Sequence, residues 1–215
     1  MSYQLDANQP WTATITRRSL TLMSTSSASV QGVPAHLDEA PLTSRLATAD
    51  DVPALDPLVR AAIEELQKGF LDGAQIRSSH AIMGIDRQLI DDGTYFVIES
   101  DRLAVGCGGW SRRATLYGGD HSGGRSSTLL DPSKEPARVR AMYTRPGFTR
   151  RGIGRLILCL CESAAAAEGF TRLELMSTLS GRPLYAAVGF EALEQVADAA
   201  GGAPVPLIRM GKDIG

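Results

Sequence analysis

The sequence predicts a single α+β domain in which a mixed, mostly antiparallel sheet carries helices on both faces. Three observations predict this class. Apolar residues begin to alternate with a period of two at residue 95, and a predicted strand pair is followed by a β-α-β unit. The predicted elements follow the order β, α, α, β, β, β, α, β, α, β, β. A hairpin gives antiparallel strands, whereas a β-α-β unit gives a parallel pair. We therefore expect one mixed sheet of six or seven strands.

Length and composition are those of an ordinary globular protein. The chain has 215 residues, of which 43% are hydrophobic and 21% charged, and its formal net charge is −2. This charge does not indicate a nucleic-acid partner, and no apolar run approaches the ~20 residues needed to span a bilayer. Because the first residues lack an apolar signal segment, we expect a cytoplasmic protein. Its three cysteines are expected to be reduced and buried, since an odd number does not suit a disulfide framework.

The first 44 residues differ in character from the rest. Residues 1–44 are rich in Ser, Thr, Ala, Gln and Pro and show no sustained period. A segment of this kind buries too little apolar surface to offset the chain entropy lost on ordering. We interpret 1–44 as a flexible leader and 45–215 as the domain.

The first ordered elements are a strand and two helices. Residues 45–48 read as a short strand, and Asp50 or Asp51 caps a helix with Pro53 in its first turn. That helix runs to about Gln67, because Leu55, Leu58, Val59, Ala62, Ile63 and Leu66 share one face. A second helix is predicted over 78–90 and ends at an Asp-Asp-Gly sequence.

The second half alternates strands and helices. Strands are predicted over 95–99 and 103–117, joined by a turn, and a mobile Gly- and Ser-rich loop of potential function over 118–137. The elements predicted after this loop are a strand over 138–144, a helix over 154–168, a strand over 173–177, a short helix over 183–188, and strands over 190–192 and 205–210.

The turn at 150–155 is the feature that indicates chemistry. Arg150-Arg151-Gly152-Ile153-Gly154-Arg155 lies between a predicted strand and an apolar helix, and no acidic residue occurs between 145 and 161. The first amides of a helix have no intrahelical acceptor, and the helix dipole adds positive charge there. Glycines let an anion approach these amides, so the pattern predicts a phosphate site. A dinucleotide fingerprint would need glycine at Ile157, and a Walker loop would need Lys-Ser or Lys-Thr.

Two spacings in the sequence resemble the GNAT acyltransferase superfamily. Pro146 precedes Gly152 by six residues, as in the family's cofactor signature, and Tyr185 lies four residues before Gly189-Phe190, as in its second signature. The resemblance covers about residues 45–212. One departure is Thr149, which occupies the family's Gln or Arg position.

The resemblance implies an acetyl-CoA cosubstrate and assigns residues to it. The pantetheine arm of the coenzyme A thioester would lie along Met142, Tyr143 and Thr144, where two parallel strands splay apart. The pyrophosphate would lie on residues 150–155, namely Arg150, Arg151, Gly152, Ile153, Gly154 and Arg155. Thr178 would contact the arm, Tyr185 would be the acid that protonates the departing thiolate, and no metal is implied. A homodimer formed through the late strands is also compatible with the family.

The proton acceptor for the amine stays open among several residues. Candidates are Glu99, Asp120, His121, Glu174 and His80, each of which can equally be an ordinary surface or structural residue. Cys107 has no neighbouring His in the sequence to activate it, so a covalent acyl intermediate is not expected. The glycines around Cys107 are interpreted as space for the acceptor, and Trp110 as wall or core.

The resulting hypothesis is an N-acetyltransferase that transfers acetyl directly from acetyl-CoA to an amine of a small molecule or protein. The alternative is a non-catalytic acyl-CoA-binding sensor, and Tyr185 favours the enzyme because a sensor needs no acid there. A nucleotide-binding module is a third interpretation, which would bind ATP without preferring coenzyme A. Neither a nucleic-acid nor a membrane partner is expected.

Overall fold

The computed structural model describes residues 4–6, 9–15 and 40–214. Within these ranges nine strands are found: β1 (Gln4–Asp6), β2 (Gln9–Ile15), β3 (Leu42–Leu46), β4 (Tyr95–Ser100), β5 (Leu103–Ser111), β6 (Ala137–Thr144), β7 (Arg172–Thr178), β8 (Glu191–Asp198) and β9 (Val205–Asp213). They form one sheet in the order β1-β2-β3-β4-β5-β6-β7-β9-β8. The β6–β7 pair is parallel and the other pairs are antiparallel, which confirms the predicted mixed sheet.

Helices cover both faces of this sheet. The same described ranges contain five α-helices: α1 (Val52–Leu66), α2 (Gly73–Ser79), α3 (Arg87–Asp91), α4 (Ile153–Ala167) and α5 (Arg182–Ala186). Successive side chains of a strand point to opposite faces, and β4 shows this directly. Phe96 and Ile98 belong to the core cluster under α4, whereas Tyr95 and Val97 belong to the cluster under α1. None of the helices in this part of the chain is long and apolar enough to cross a membrane.

The predicted leader contains the edge of the sheet. Strand β3 begins at Leu42, slightly before the expected start of the domain, and pairs with β4. Strands β1 and β2 lie within 1–44, and β2 pairs with β3. Residues 1–3, 7–8 and 16–39 lie outside the described residues, so the flexibility of the segment stays a prediction.

The single helix predicted over 78–90 is wrong. Helix α2 begins earlier because the Asp72 carboxylate accepts hydrogen bonds from the amides of Ala74 and Gln75 at 2.8 and 2.9 Å, which caps the helix at Gly73. It ends at Ser79, and Asp86 has extended backbone angles before α3 begins. Residues 80–86 therefore form an irregular connection, and His80 is the C-cap of α2 rather than a residue inside a helix.

The long strand predicted over 103–117 also ends early. Strand β5 stops at Ser111, and residues 112–136 leave the sheet as one long connection to β6. This connection folds back on itself, because Arg113 and Leu129 form an isolated antiparallel bridge and the Thr115 hydroxyl donates to the Ser126 carbonyl at 2.9 Å. We call residues 112–136 the cleft loop. The other predicted elements occur close to their expected bounds, although β8 is longer than the strand predicted over 190–192.

Candidate active site

A gap opens in the middle of the sheet where β6 and β7 separate. In the described strands, pairing between them is limited to residues 137–139 with residues 173–175. Beyond this point β6 contains a bulge, since the register with β5 shifts between the pairs Gly109↔Arg140 and Cys107↔Tyr143 and Ala141 has a φ of 50°. A bulge bends its strand and leaves residues without a ladder partner. The two parallel strands thus diverge along their C-terminal halves.

The gap is the floor of a cleft with walls from four other parts of the chain. Residues of β6 and β7 form the floor, and side chains of the α2–α3 connection, the cleft loop, α5 and β9 form the walls. The cleft encloses about 90 Å³ and is lined by Ile82, Met83, Leu116, Tyr117, Gly118, Val139, Arg140, Ala141, Met142, Tyr143, Met176, Thr178, Tyr185 and Leu207. The structure therefore brings together four residues predicted for the site, namely Met142, Tyr143, Thr178 and Tyr185.

The segment Met142–Thr144 continues β6 after the bulge. Met142 lines the cleft, and the Tyr143 hydroxyl accepts a hydrogen bond from the Gly84 amide at 2.9 Å. Thr144 pairs with Gly106 of β5 and does not line the cleft. The bulge is held from outside the gap, because the Tyr95 hydroxyl donates to the Ala141 carbonyl at 2.8 Å.

The predicted phosphate turn has the expected position and an unusual backbone. Arg150 and Gly152 have φ values of 65° and 87°, and Gly152 is the N-cap of α4. The left-handed region is costly for side-chain-bearing residues, so glycine suits position 152. No acidic residue lies in the first turn of α4. The amides of that turn lack intrahelical acceptors, and no carboxylate of the turn itself competes with an anion for them.

The residues of the turn differ in exposure and packing. Arg150 and Arg155 are exposed, whereas the Arg151 guanidinium lies over the Phe148 ring at 4.5 Å and Ile153 is buried. Packing requires a glycine at position 154, because an added Cβ would lie 2.5 Å from Cδ2 of Leu184 in α5. Gly152 therefore serves the backbone of the turn, and Gly154 serves the contact between α4 and α5.

Tyr185 lies on the other side of the cleft from the bulge. Its hydroxyl is 3.9 Å from Sδ of Met142, and its ring meets Phe190 edge-on with centroids 5.9 Å apart. Burial raises the pKa of Tyr185 above its ordinary value, so the phenol stays protonated at neutral pH. The Tyr185 carbonyl also accepts a hydrogen bond from the Phe190 amide at 3.0 Å, which explains the fixed spacing between the tyrosine and Gly189-Phe190.

Thr178 lines the cleft, but its hydroxyl has partners within the chain. Its Oγ1 accepts a hydrogen bond from the Gly181 amide at 3.1 Å and lies 3.1 Å from the Ser180 hydroxyl. These bonds organise the chain just before α5. A hydroxyl oxygen has two lone pairs, so further hydrogen bonding at Thr178 is still chemically feasible.

The five candidate proton acceptors are spread over the molecule. Four have ionic or hydrogen-bonded partners that account for them: Glu99 pairs with Arg45 at 2.9 Å, Asp120 with Arg87 at 2.9 Å, the His121 ring bonds the His80 carbonyl at 2.8 Å, and His80 lies 3.5 Å from Glu64. The fifth, Glu174, lies on β7 between Arg138 and Arg209. Burial raises its pKa, but the two arginines outweigh burial and the net pKa is lowered. None of the five lines the cleft in the described structure.

Cys107 and its neighbouring glycines have structural roles. Cys107 is fully buried, and burial raises the pKa of its thiol to about 12, so it is not a nucleophile at neutral pH. An added Cβ on Gly106 would collide with Ile153, and one on Gly108 would lie 2.6 Å from Cγ of Met142 and 2.9 Å from Cγ2 of Ile157. The interpretation of these glycines as space for the acceptor is wrong at these two positions, since α4 and the bulge occupy that space.

A buried ionic cluster below the cleft was not found by sequence reasoning. The Asp86 carboxylate is fully buried, pairs with the Arg140 guanidinium and accepts a hydrogen bond from Arg125 at 2.6 Å. Arg125 also donates to the Gly119 carbonyl at 2.9 Å, so the cluster ties the cleft loop to the α2–α3 connection. An arginine in the middle of a buried strand is the one sequence signal that could have indicated a buried acid. In the described residues, no group of three or more His, Cys, Asp and Glu side chains is arranged to hold a metal.

Comparison with known proteins supports the resemblance seen in the sequence. Residues 91–192 match the model of the acetyltransferase (GNAT) domain. The search of curated proteins gave no match.

Solved structures share the fold at low sequence identity. A GCN5-related N-acetyltransferase from Rhodopseudomonas palustris has a TM-score of 0.59 at 16% identity, covering 79% of this chain and 94% of that chain. The PaiA N-acetyltransferase from Thermoplasma acidophilum, solved with coenzyme A, has a TM-score of 0.55 at 15% identity, covering 80% and 98%. YncA from Salmonella typhimurium, a putative acetyltransferase solved with acetyl-CoA, has a TM-score of 0.53 at 18% identity, covering 81% and 94%. The family match over residues 91–192 and the shared fold together confirm the resemblance of this chain to the GNAT acyltransferase superfamily.

Proposed function

We propose that the protein is an acetyl-CoA-dependent N-acetyltransferase that transfers acetyl directly to an amine. The observation that carries this proposal is one cleft that unites the gap between β6 and β7, the bulge and Tyr185. The gap is open along a strand edge, and the amide-bearing pantetheine arm can pair with backbone groups there as a strand would. Two of the solved neighbours are complexes with coenzyme A or acetyl-CoA, and this supports the choice of cosubstrate.

The phosphate turn accounts for the other end of the cosubstrate. The pyrophosphate would lie on the amides at the start of α4, with Arg150 and Arg155 adding positive charge from the surface. The arm would then follow Met142–Thr144 toward the bulge, and Thr178 would face it from β7. In this arrangement the thioester would lie next to Met142 and the Tyr185 hydroxyl.

Acyl transfer requires stabilisation of an oxyanion and a proton for the departing thiolate. A backbone amide of the segment after the bulge would hydrogen-bond the acetyl oxygen as negative charge develops on it. The thiol leaving group has a pKa of ~8.5, and a phenol that stays protonated can donate to it as charge develops. Tyr185 fits this role because it lines the cleft, its phenol is protonated at neutral pH, and its hydroxyl lies 3.9 Å from Sδ of Met142.

Two measurements test the proposal together. Isothermal titration with acetyl-CoA, and with ATP in parallel, measures cosubstrate binding, and release of free thiol in the presence of a panel of primary amines measures turnover. We expect acetyl-CoA to bind, ATP to bind more weakly, and at least one amine to accelerate thiol release. Tight binding without turnover on any amine would favour the sensor, and equal binding of ATP would favour a nucleotide-binding module.

A further inference from the structure

A tyrosine and an aspartate form a hydrogen-bonded pair at the wall of the cleft that the cleft loop provides. Tyr117 of the cleft loop lines the cleft, and its hydroxyl donates to Oδ2 of Asp198 at 2.8 Å. Oδ1 of Asp198 accepts a hydrogen bond from the Ala200 amide at 2.8 Å. Asp198 itself is not among the residues that line the cleft, and it is partly exposed. Together they connect the cleft to solvent through a single hydrogen bond.

Asp198 differs from the other carboxylates around the cleft in its charge balance. Asp86 is neutralised by Arg140 and Arg125, Asp120 by Arg87, and Glu174 by Arg138 and Arg209. Within the part of the chain that the structure describes, Asp198 has the Tyr117 hydroxyl and the Ala200 amide as partners and no arginine or lysine. Its negative charge is therefore available to a cation or proton that reaches Tyr117.

Both members of the pair are held in place by packing. The Tyr117 ring packs against the small apolar cluster of Ile82, Val205 and Leu207. Asp198 ends β8, and the turn from β8 to β9 is docked on α2, because the Ser78 hydroxyl donates to the Ala203 carbonyl at 2.7 Å and the Gln75 side chain donates to the Pro204 carbonyl at 2.9 Å. Desolvation and the bond to Asp198 raise the pKa of Tyr117 to about 12, so its hydroxyl is protonated and directed at the carboxylate.

We propose that Tyr117 and Asp198 are the proton acceptor for the attacking amine, an assignment that rests on the proposed acetyltransferase function. As the neutral amine attacks the acetyl carbon, the new C–N bond leaves positive charge on nitrogen. That nitrogen passes a proton to the Tyr117 oxygen while the Tyr117 proton passes to Asp198, and the C–S bond breaks to give a thiolate, which takes a proton from Tyr185. Asp198 then returns its proton to solvent and the Tyr185 phenolate takes one up from solvent, so both side chains regain their starting charge and the products are the amide and the free thiol of coenzyme A.

Ligands that carry the amine position on coenzyme A itself test this pair without a known acceptor. S-(2-aminoethyl)-CoA places an ammonium near the position of the attacking nitrogen, and S-propyl-CoA is its uncharged counterpart of the same length. Dissociation constants of both are measured by isothermal titration for the wild type, Tyr117→Phe and Asp198→Asn. The control is Asp213→Asn, which removes an exposed carboxylate at the far end of β9.

The expected result is a charge-selective loss of affinity. A hydrogen bond to a charged group justifies an increase of about tenfold or more in the dissociation constant of S-(2-aminoethyl)-CoA in Tyr117→Phe and Asp198→Asn. S-propyl-CoA should bind all four proteins equally, and Asp213→Asn should match the wild type with both ligands. Thermal unfolding first checks that each variant is folded. If Asp198→Asn is unstable, Tyr117→Phe still provides the test, because its ring stays in the apolar cluster.

Two other outcomes overturn the assignment in different ways. An equal loss for both ligands, or no loss for either, means that the pair has no contact with the amine, and the proposed function stands without it. Failure of both ligands to bind the wild type removes the coenzyme A site, and the proposed function falls together with the pair.

Discussion

Replacing Tyr185 with phenylalanine separates chemistry from structure at the proposed site. The substitution removes one hydroxyl and keeps the ring that meets Phe190 edge-on. Within the described residues, the hydroxyl donates one long hydrogen bond, to the sulfur of Met142 at 3.9 Å. Sulfur is a weak acceptor, so the loss of this contact should change the free energy of unfolding by less than about 1 kcal/mol.

The catalytic cost should be much larger than the structural cost. General acid catalysis by a positioned side chain contributes about 10²–10⁴-fold, so kcat should fall by at least about 100-fold, or ~2.7 kcal/mol at 1.36 kcal/mol per factor of ten. The dissociation constant for acetyl-CoA should stay within about twofold, because the backbone and the phosphate turn dominate its binding. A drop in kcat without a change in binding is the signature of a transition-state interaction.

Three measurements on the same preparation test whether Tyr185 is the acid. Thiol release gives kcat and KM with an amine found active on the wild type, titration calorimetry gives the acetyl-CoA affinity, and thermal unfolding gives stability. A kcat equal to that of the wild type would refute the role of Tyr185 as the acid. A parallel fall in stability and cosubstrate affinity would instead show that the hydroxyl is structural.

Three further predictions concern the turn, the core thiol and acid stability. Gly152→Val should raise the acetyl-CoA dissociation constant at least about tenfold, since a β-branched residue is strained at a φ of 87°. The control Gly69→Val, at a φ of 84° with open space around it, should leave this constant unchanged. Equal effects of the two substitutions would exclude the turn as the phosphate site. Cys107→Ala should keep kcat within about twofold, and loss of turnover in a folded variant would argue for a covalent intermediate. The Arg45 side chain, by hydrogen bonding, lowers the pKa of Asp51 to about 2. The contribution of this ion pair to the free energy of unfolding is therefore complete above about pH 4 and is lost as the pH falls toward 2. Unfolding measured across that range should show a shallower acid loss in Asp51→Asn, and an unchanged slope would contradict the ion-pair argument.

Local sequence signals predicted the parts of the site that depend on neighbouring residues. The start of α4 follows from glycine, the missing acids and the apolar helix that follows, all within about 20 residues of the chain. Tyr185 was identified through the family's second signature, and in the structure its carbonyl accepts a hydrogen bond from the Phe190 amide of that same signature. Helix α1 was predicted nearly to its bounds, since its apolar face repeats with the helical period.

Contacts between distant parts of the chain account for what was missed. Tyr117 and Asp198 are 81 residues apart, and neither lies in a motif that would link them. The break between α2 and α3 depends on Asp86, whose burial requires arginines from the cleft loop and β6. The glycines of β5 were misinterpreted because their neighbours, Ile153 and Ile157, belong to a helix about 50 residues later in the chain.

The gap between β6 and β7 has a consequence for the energetics of the whole fold. The short ladder of residues 137–139 with 173–175 is the backbone pairing that joins the β3–β6 half of the described sheet to the β7–β9 half. An unpaired strand edge normally lies at the rim of a sheet, but here it lies inside one. Under the proposed function, the arm of the cosubstrate completes the hydrogen bonding between the two halves. Occupancy then acts as a crosslink, and resistance to unfolding grows with cosubstrate concentration as RT ln(1 + [L]/Kd).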